Sequence, residues 1–328
     1  MLHFLNNRLT GTFDWYRRNT KDMLVAGATL PATLGASVPK SNSADMKTIG
    51  WELSLGWNDR LENGFSYWVK GVLSDYQATI TKYAGNDAGF YSQSDGDGKY
   101  YVGQKIGEIW GYHSNGLFQS DDEAATIDQS ELYAGKWGAG DVKYEDLDGD
   151  GKITKGEETI YNPGDKSIIG NKTPRYQFGI TVGFDYKNFD FEMFWQGTGK
   201  RDYMLSGAQF WGFTSQWDVP YTPALDYWTE TNTDAYFPRP GWQNGGNRVT
   251  SDRYLQSAAY GRLKNLTVGY TIPKNLTTKW GISRLRLYVT GENLLTITPL
   301  NDAFDPETLG GLTYPINRKV AIGLNLTL

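Results

Sequence analysis

The stretch with the strongest chemical character is Asp146-Leu-Asp148-Gly-Asp150-Gly151-Lys152-Ile153-Thr154-Lys155-Gly156-Glu157, which fits the pattern D-x-[DN]-x-[DN]-G-x5-E at every position. Carboxylates at alternating positions, a glycine for the sharp turn, the backbone carbonyl of Lys152 and a closing glutamate can wrap a hard cation in oxygen ligands. The expected ion is Ca2+, held by Asp146, Asp148, Asp150, Lys152 and Glu157. An acidic Asp/Gly turn that binds nothing is the other reading. The flanks do not read as paired helices, because Gly135 to Gly140 is glycine-rich and Asn162-Pro163-Gly164 follows closely. A solitary structural clamp on a long loop is therefore expected, rather than a sensor that opens a groove. Asp165 stands nearby, but spacing alone assigns it no role.

A second candidate is aromatic. Residues 205–253 hold Trp211, Trp217, Trp228 and Trp242 among Tyr221, Tyr227, Tyr236 and Phe237, interleaved with Asp218, Asp226, Gln243 and Asn247. Flat rings beside polar groups suit sugar stacking or a protein contact; the alternative is a loop that packs its own small core. Other chemistry is missing. The chain has no cysteine and two histidines, so thiol nucleophiles and Cys-based zinc or iron–sulfur sites are unavailable. Neither G-x-x-x-x-G-K-[ST] nor G-x-S-x-G occurs. Asp190 and Glu192 read as solvated wall residues, and Asp95-Gly-Asp97-Gly98 as a hairpin turn. No catalytic residue is assigned. With 32 basic and 37 acidic residues, net −5, there is no footprint for a nucleic-acid backbone.

What positions these residues must be β-structure. The 328 residues are 39% hydrophobic, with 39 glycines and 15% aromatic residues. No apolar run reaches the ~18 residues of a membrane helix. A mean hydropathy of −0.53 does not exclude a membrane barrel, in which only alternate strand residues face lipid. The period-two test is met. Tyr176, Phe178, Ile180, Val182, Phe184 and Tyr186 alternate without exception with Gln177, Gly179, Thr181, Gly183 and Asp185. Phe189, Phe191, Met193 and Trp195 follow after Lys187-Asn188, with Phe194 the one misplaced side chain. Similar alternation marks 51–58, 265–272, 285–290 and 320–328, and Phe65 to Leu73 and Leu5 to Tyr16 complete about eight strands, most long enough to cross a bilayer. Connections alternate long and short: 17–46, 80–173, 205–253 and 299–315 are long; 59–63, 187–188 and 273–281 are short. Short turns on the periplasmic side and long loops outside are the pattern of an outer-membrane barrel. Trp15, Tyr16, Trp51, Trp57, Tyr176, Tyr186 and Trp195 fall where an interfacial girdle would lie. A soluble β-sandwich, and an eight-stranded barrel closed on itself, are the competing architectures. Met1 to Arg8 carries no export-signal pattern.

At this point the residues resemble the C-terminal part of SusC/RagA-family TonB-linked outer-membrane proteins of Bacteroidetes-type bacteria. The likeness rests on ordered blocks: Arg8-Leu-Thr-Gly-Thr-Phe-Asp-Trp-Tyr16 with Thr20-Lys-Asp-Met-Leu24, Gly50-Trp-Glu52, and Gly140-Asp-Val-Lys-Tyr144 before the acidic loop. Ile168-Ile-Gly-Asn171 with Pro174, Ser257-Ala-Ala-Tyr260, Arg262-Leu-Lys-Asn265, Gly291-Glu-Asn293, Asp305-Pro-Glu307 and Tyr314-Pro315 follow in order. The resemblance implies an all-β fold, an antiparallel transmembrane barrel segment supplying about eight of about 22 strands around a plugged lumen. On this reading 1–328 is one barrel segment, with extracellular loops at 80–173, carrying the calcium loop 146–157, and at aromatic-rich 205–253. The resemblance further implies a SusD-like surface lipoprotein as partner, energy from the TonB complex, and a glycan or peptide as imported substrate. The plug and N-terminal regions are expected to be absent from these residues. Gly261 replaces a large apolar residue usual in the family, and Leu328 an aromatic. The contrasting functional reading is a secreted calcium-dependent glycan-binding module or glycosidase on a sandwich fold.

Overall fold

A computed structural model describes residues 2–26, 33, 35, 39–84, 89–90, 100–309 and 314–328. The turn read at Asp95 to Gly98 lies outside the described residues. The strands are β1 (Leu2–Phe4), β2 (Leu9–Ala26), β3 (Lys40–Arg60), β4 (Ser66–Tyr83), β5 (Glu108–Tyr112), β6 (Ser114–Leu117), β7 (Val142–Tyr144), β8 (Lys166–Asn171), β9 (Arg175–Tyr186) and β10 (Phe189–Lys200). They continue with β11 (Asp202–Met204), β12 (Leu255–Ser257), β13 (Tyr260–Thr271), β14 (Arg284–Ile297) and β15 (Lys319–Thr327).

One antiparallel sheet runs β1-β2-β3-β4-β9-β10-β13-β14-β15, so every long strand pairs with its predecessor. Its eight long members are those foreseen by alternation. The sheet is open, with β1 and β15 at its two ends, as expected of a segment of a larger barrel and unlike the competing eight-stranded barrel closed on itself. Two boundaries also differ. Leu5, Asn6 and Asn7 take φ of 54°, 56° and 64°, a turn that delays β2 to Leu9. At the other end β2, β3 and β4 run to 18, 21 and 18 residues, well past the ~9–11 needed to span lipid. Their extensions hold because Ala44, Ile80 and Tyr83 are buried there against Met23, Val25, Met46 and Ile106.

Alternation puts two unlike surfaces on this sheet. Register aligns Phe13 with Leu53, Trp57 with Val69, Val69 with Val182, Val182 with Met193, Val268 with Val289, and Val289 with Ile322. Phe13, Val69, Val268, Val289 and Ile322 are exposed, Ile322 to 84%. Burying one such side chain is worth about 1.5–3 kcal/mol, so a continuous apolar face of this kind belongs against lipid. A sandwich would have covered it with a second sheet, and none lies on it among the described residues. Near the short turns the same face carries clustered rings: Phe65 stacks 5.4 Å from Phe184 and lies tilted 5.9 Å from Tyr186, and Phe189 lies tilted 4.7 Å from Tyr270. The strand ends of a lipid-facing wall are where a barrel carries its interfacial aromatic residues. Tyr16 does not join them. Trp15 pairs with Trp51 on the outer face, so Tyr16 turns inward, its ring against Gly50. Arginine at Val289, mid-strand on the outer face, should cost about 2–3 kcal/mol of folding into lipid vesicles, read from denaturant unfolding. An unchanged midpoint would remove this face from the bilayer.

The inner face is polar. Arg286 forks onto Asp190, with Nε donating to Oδ1 at 2.9 Å, and Thr267 meets Thr290 at 2.9 Å. Asp190, Glu192, Arg284 and Arg286 help line a concavity of about 640 Å³. Phe194 is on this side too, its ring over Gly179, which accounts for the one break in the alternation. Gly183 is required where it stands, because a Cβ there would lie 2.2 Å from the inward Trp68 ring.

The main hydrophobic core lies outside the wall. Tyr112, Leu117, Val142, Tyr144, Ile153, Met204, Leu205, Phe210, Trp228, Phe237, Tyr254, Leu300, Phe304 and Leu309 pack together. They come from three long connections, which thus fold into one crown at the end of the sheet opposite the short turns.

Candidate functional site

The acidic loop is bound to the crown through Ile153, fully buried, whose N–H donates to Asp128 O at 2.7 Å. Asp146 curls the loop around itself, accepting from Gly149 N at 2.6 Å and Gly151 N at 2.8 Å. Carboxylate oxygens of Asp146, Asp148 and Asp165 all lie within 4.8 Å of one another. Asp150 and Glu157 are not in that group. Asp150 accepts from Lys152 N at 2.8 Å, and Glu157 is exposed. The carboxylates brought together thus include two of the expected ligands, Asp146 and Asp148, and one residue outside the twelve-residue pattern, Asp165. In an EF-hand the exiting helix brings the twelfth residue back to the ion. Here the chain turns through Gly156 and Gly164, at φ 56° and 58°, and brings back Asp165. Asp165 is fully buried and accepts from Leu147 N at 2.8 Å and Thr154 N at 2.7 Å; among the described residues no Lys or Arg pairs with it.

The electrostatics of the cluster favour a cation. The Gly151 N–H, with help from Gly149, holds the Asp146 carboxyl below the usual range. Asp148 goes the other way: the Asp150 N–H lowers it, but partial desolvation and the charges of Asp150, Asp165 and Asp146 raise it overall. Three carboxylates of like charge, one of them buried, are relieved by a divalent ion.

The four tryptophans divide. Trp228 is 8% exposed in the crown core, and Trp211 packs with its ring 4.5 Å from Tyr254. Trp228 offers no free face for a sugar, and the half-buried Trp211 gives part of its ring to the same core, as the alternative reading of this loop expected. The recess beside Trp211 and Arg248 holds about 20 Å³, enough for a water and too small for a sugar ring. Trp217, 84% exposed, and Trp242 do reach the surface.

Several residues position the crown in ways that sequence spacing did not indicate. Gln129 Nε2 donates to Val142 O at 3.0 Å and its Oε1 accepts from Tyr144 N at 2.9 Å, so one amide side chain completes the pairing of β7. Asn247 Oδ1 accepts from Val142 N at 2.8 Å and its Nδ2 donates to Asp141 at 2.8 Å. Arg262, in β13, is 2% exposed; it bonds Thr296 Oγ1 at 2.8 Å, Asp305 at 2.5 Å and faces Glu307 at 3.2 Å. Lys264 reaches Glu307 at 3.0 Å. The blocks Arg262 to Asn265 and Asp305 to Glu307, separate in sequence, are thus one tether from the wall to the last long loop.

A lipid-facing wall, a polar inner face and a folded crown on the long-loop side define an outer-membrane β-barrel wall. No family model matches the chain. It is 30% identical over 351 residues to TonB-dependent receptor P3 of Formosa agariphila, covering 98% of this chain and 32% of that protein. It is 25% identical over 334 residues to TonB-dependent receptor SusC of Bacteroides thetaiotaomicron, covering 98% of this chain and 30% of that one. The solved RagAB peptide transporter superposes with a TM-score of 0.72 at 21% identity, over 98% of this chain and 34% of that one. The chain spans about a third of the length of the curated relatives it matches. Along nearly its whole length the chain is similar to one part of TonB-dependent receptors of the SusC type, and the outer membrane is the location that its fold and these relatives give it.

Proposed function

We propose that this chain forms the C-terminal part of the barrel of a TonB-dependent importer that works with a SusD-like surface lipoprotein and takes up oligosaccharides or peptides. The observation that carries this reading is a lipid-facing wall joined to a folded crown in a sequence that aligns along nearly its whole length with TonB-dependent receptors. The chain's likeness to a solved peptide transporter supports a peptide as substrate, and the glycan that the sequence resemblance implies is the other class. No catalysis is part of the proposal. The polar inner face and the exposed Trp217 and Trp242 are the surfaces offered to substrate. The test is deletion of the gene, followed by growth on single oligosaccharides and on peptides, with affinity purification of the tagged protein from outer membranes. Loss of growth on one class, with a co-purifying lipoprotein, is expected. Unaltered growth on every substrate and no lipoprotein would overturn the reading.

Within this function Asp146, Asp148 and Asp165 hold Ca2+ as a structural clamp on the loop 146–165. Calcium would neutralise the buried Asp165 and fix the loop against the core through Ile153. An extracellular site of this kind needs an affinity of only ~10⁻⁴–10⁻³ M. Asp165→Asn should weaken calcium binding at least ~10-fold by calorimetry and expose the loop to protease, whereas Glu157→Gln should change the affinity less than about twofold. The reverse ranking would restore the twelve-residue ligand set, and equal protease patterns in calcium and chelator would remove the site.

A further inference from the structure

The crown contains an arrangement that neither transport nor cation binding uses. Three extended segments lie side by side: β8, β5, and the short stretch 250–252. The β5–β8 register pairs Gly111 with Ser167. On the other side of β5, Tyr112 N donates to Thr250 O at 2.9 Å and Asp252 N to Tyr112 O at 3.1 Å. His113, at the end of β5, therefore stands between Ser167 and Asp252, which are separated from it by 54 and 139 residues in sequence. Its Nδ1 is 2.6 Å from Asp252 Oδ2, and its Nε2 is 2.7 Å from Ser167 Oγ. Asp252 is itself oriented, its Oδ1 accepting from Ser114 N at 3.0 Å.

The order of these contacts sets the chemistry. An ionised carboxylate only accepts, so in the neutral ring the proton sits on Nδ1 and the lone pair on Nε2 is left to accept the Ser167 O–H. Carboxylate, imidazole and hydroxyl in that sequence are the parts of a base-activated nucleophile, which is recognised by geometry rather than by chain order. The backbone ladder on both sides of β5 already joins the three segments. Ser167 and His113 are half-buried and Asp252 is exposed.

We propose that Ser167 is a base-activated nucleophile that accepts an acyl group from a carboxylic ester. Ser167 Oγ bonds to the acyl carbon while its proton passes to His113 Nε2. The ester C–O bond then breaks, and the departing alcohol takes that proton. Water, deprotonated by the same nitrogen, attacks the acyl-serine and releases the carboxylic acid, returning the proton to Ser167. Asp252 is a positioning residue that holds the Nδ1–H tautomer.

The experiment uses the protein purified in detergent from outer membranes, with p-nitrophenyl acetate and a fluorophosphonate as probes and mass spectrometry of the peptide carrying Ser167. Ser167 is expected to be acylated and phosphonylated at least ~100-fold faster than in His113→Gln, the lower range for general-base assistance. Asp252→Asn should slow the labelling while leaving the protease pattern of the crown unchanged. Equal labelling of Ser167 in wild type and His113→Gln would overturn the proposal. Should His113→Gln disturb the crown, wild type alone decides, since labelling of Ser167 no faster than that of the exposed Ser130 excludes activation.

Discussion

Phe210→Ala is expected to destabilise the crown by about 3–5 kcal/mol, the range for emptying a fully buried phenylalanine site. Phe210 is 0% exposed, and its ring centroid lies 5.0 Å from Trp211, 5.1 Å from Phe237, 6.2 Å from Tyr254 and 6.3 Å from Phe304. The site cannot collapse easily, because its neighbours are rigid rings drawn from two different loops. The wall is held by its own ladder, so the damage should stay local. Hydrogen exchange should accelerate across residues 205–258 and 300–309 while the strand amides of β9, β10 and β13 keep their protection. Uniform loosening of strands and crown together would mean that the two parts fold as one cooperative unit.

Arg262→Ala should cost about 3 kcal/mol, near the lower end for breaking a buried ion pair from one side, since Asp305 and Glu307 are partly solvated and can rehydrate. The guanidinium is one end of a network with Thr296, Asp305 and Glu307, and its removal leaves Glu307 with Lys264 and Asp305 with the Glu307 N–H. The expected readout is faster proteolysis within the last long loop at an unchanged calcium affinity. Coupling is the sharper test. In a double-mutant cycle with Asp305→Ala, the second substitution should cost little once the first is made. Additive penalties would show that Arg262 acts on the wall and not on the tether.

The wall was legible because a strand reports its surroundings with a period of two, and that record is local. Tyr176 to Tyr186 alternates the same way in the chain and in the sheet. Of the aromatic residues read as a girdle, Tyr16 sits beside Trp15, and neighbours on a strand must face opposite ways, so Tyr16 turns inward. The acidic loop was recognisable for a similar reason, since Asp146, Asp148 and Asp150 lie within one turn. Its closing residue was not. Glu157 fits a spacing that presupposes a following helix, and the glycines at 156 and 164 send the chain back with Asp165 instead.

By itself, then, the sequence determined a long-stranded antiparallel wall with one apolar face, the alternation of short turns with long loops, and the place of an acidic loop. Each is a matter of residues close together in the chain. Only the tertiary structure decided which tryptophans are spent on packing, that Asp165 joins the carboxylates, that Arg262 reaches Asp305, and that His113 lies between Ser167 and Asp252. These depend on three loops folding against one another, and contacts between segments tens of residues apart leave no period in the sequence to be read.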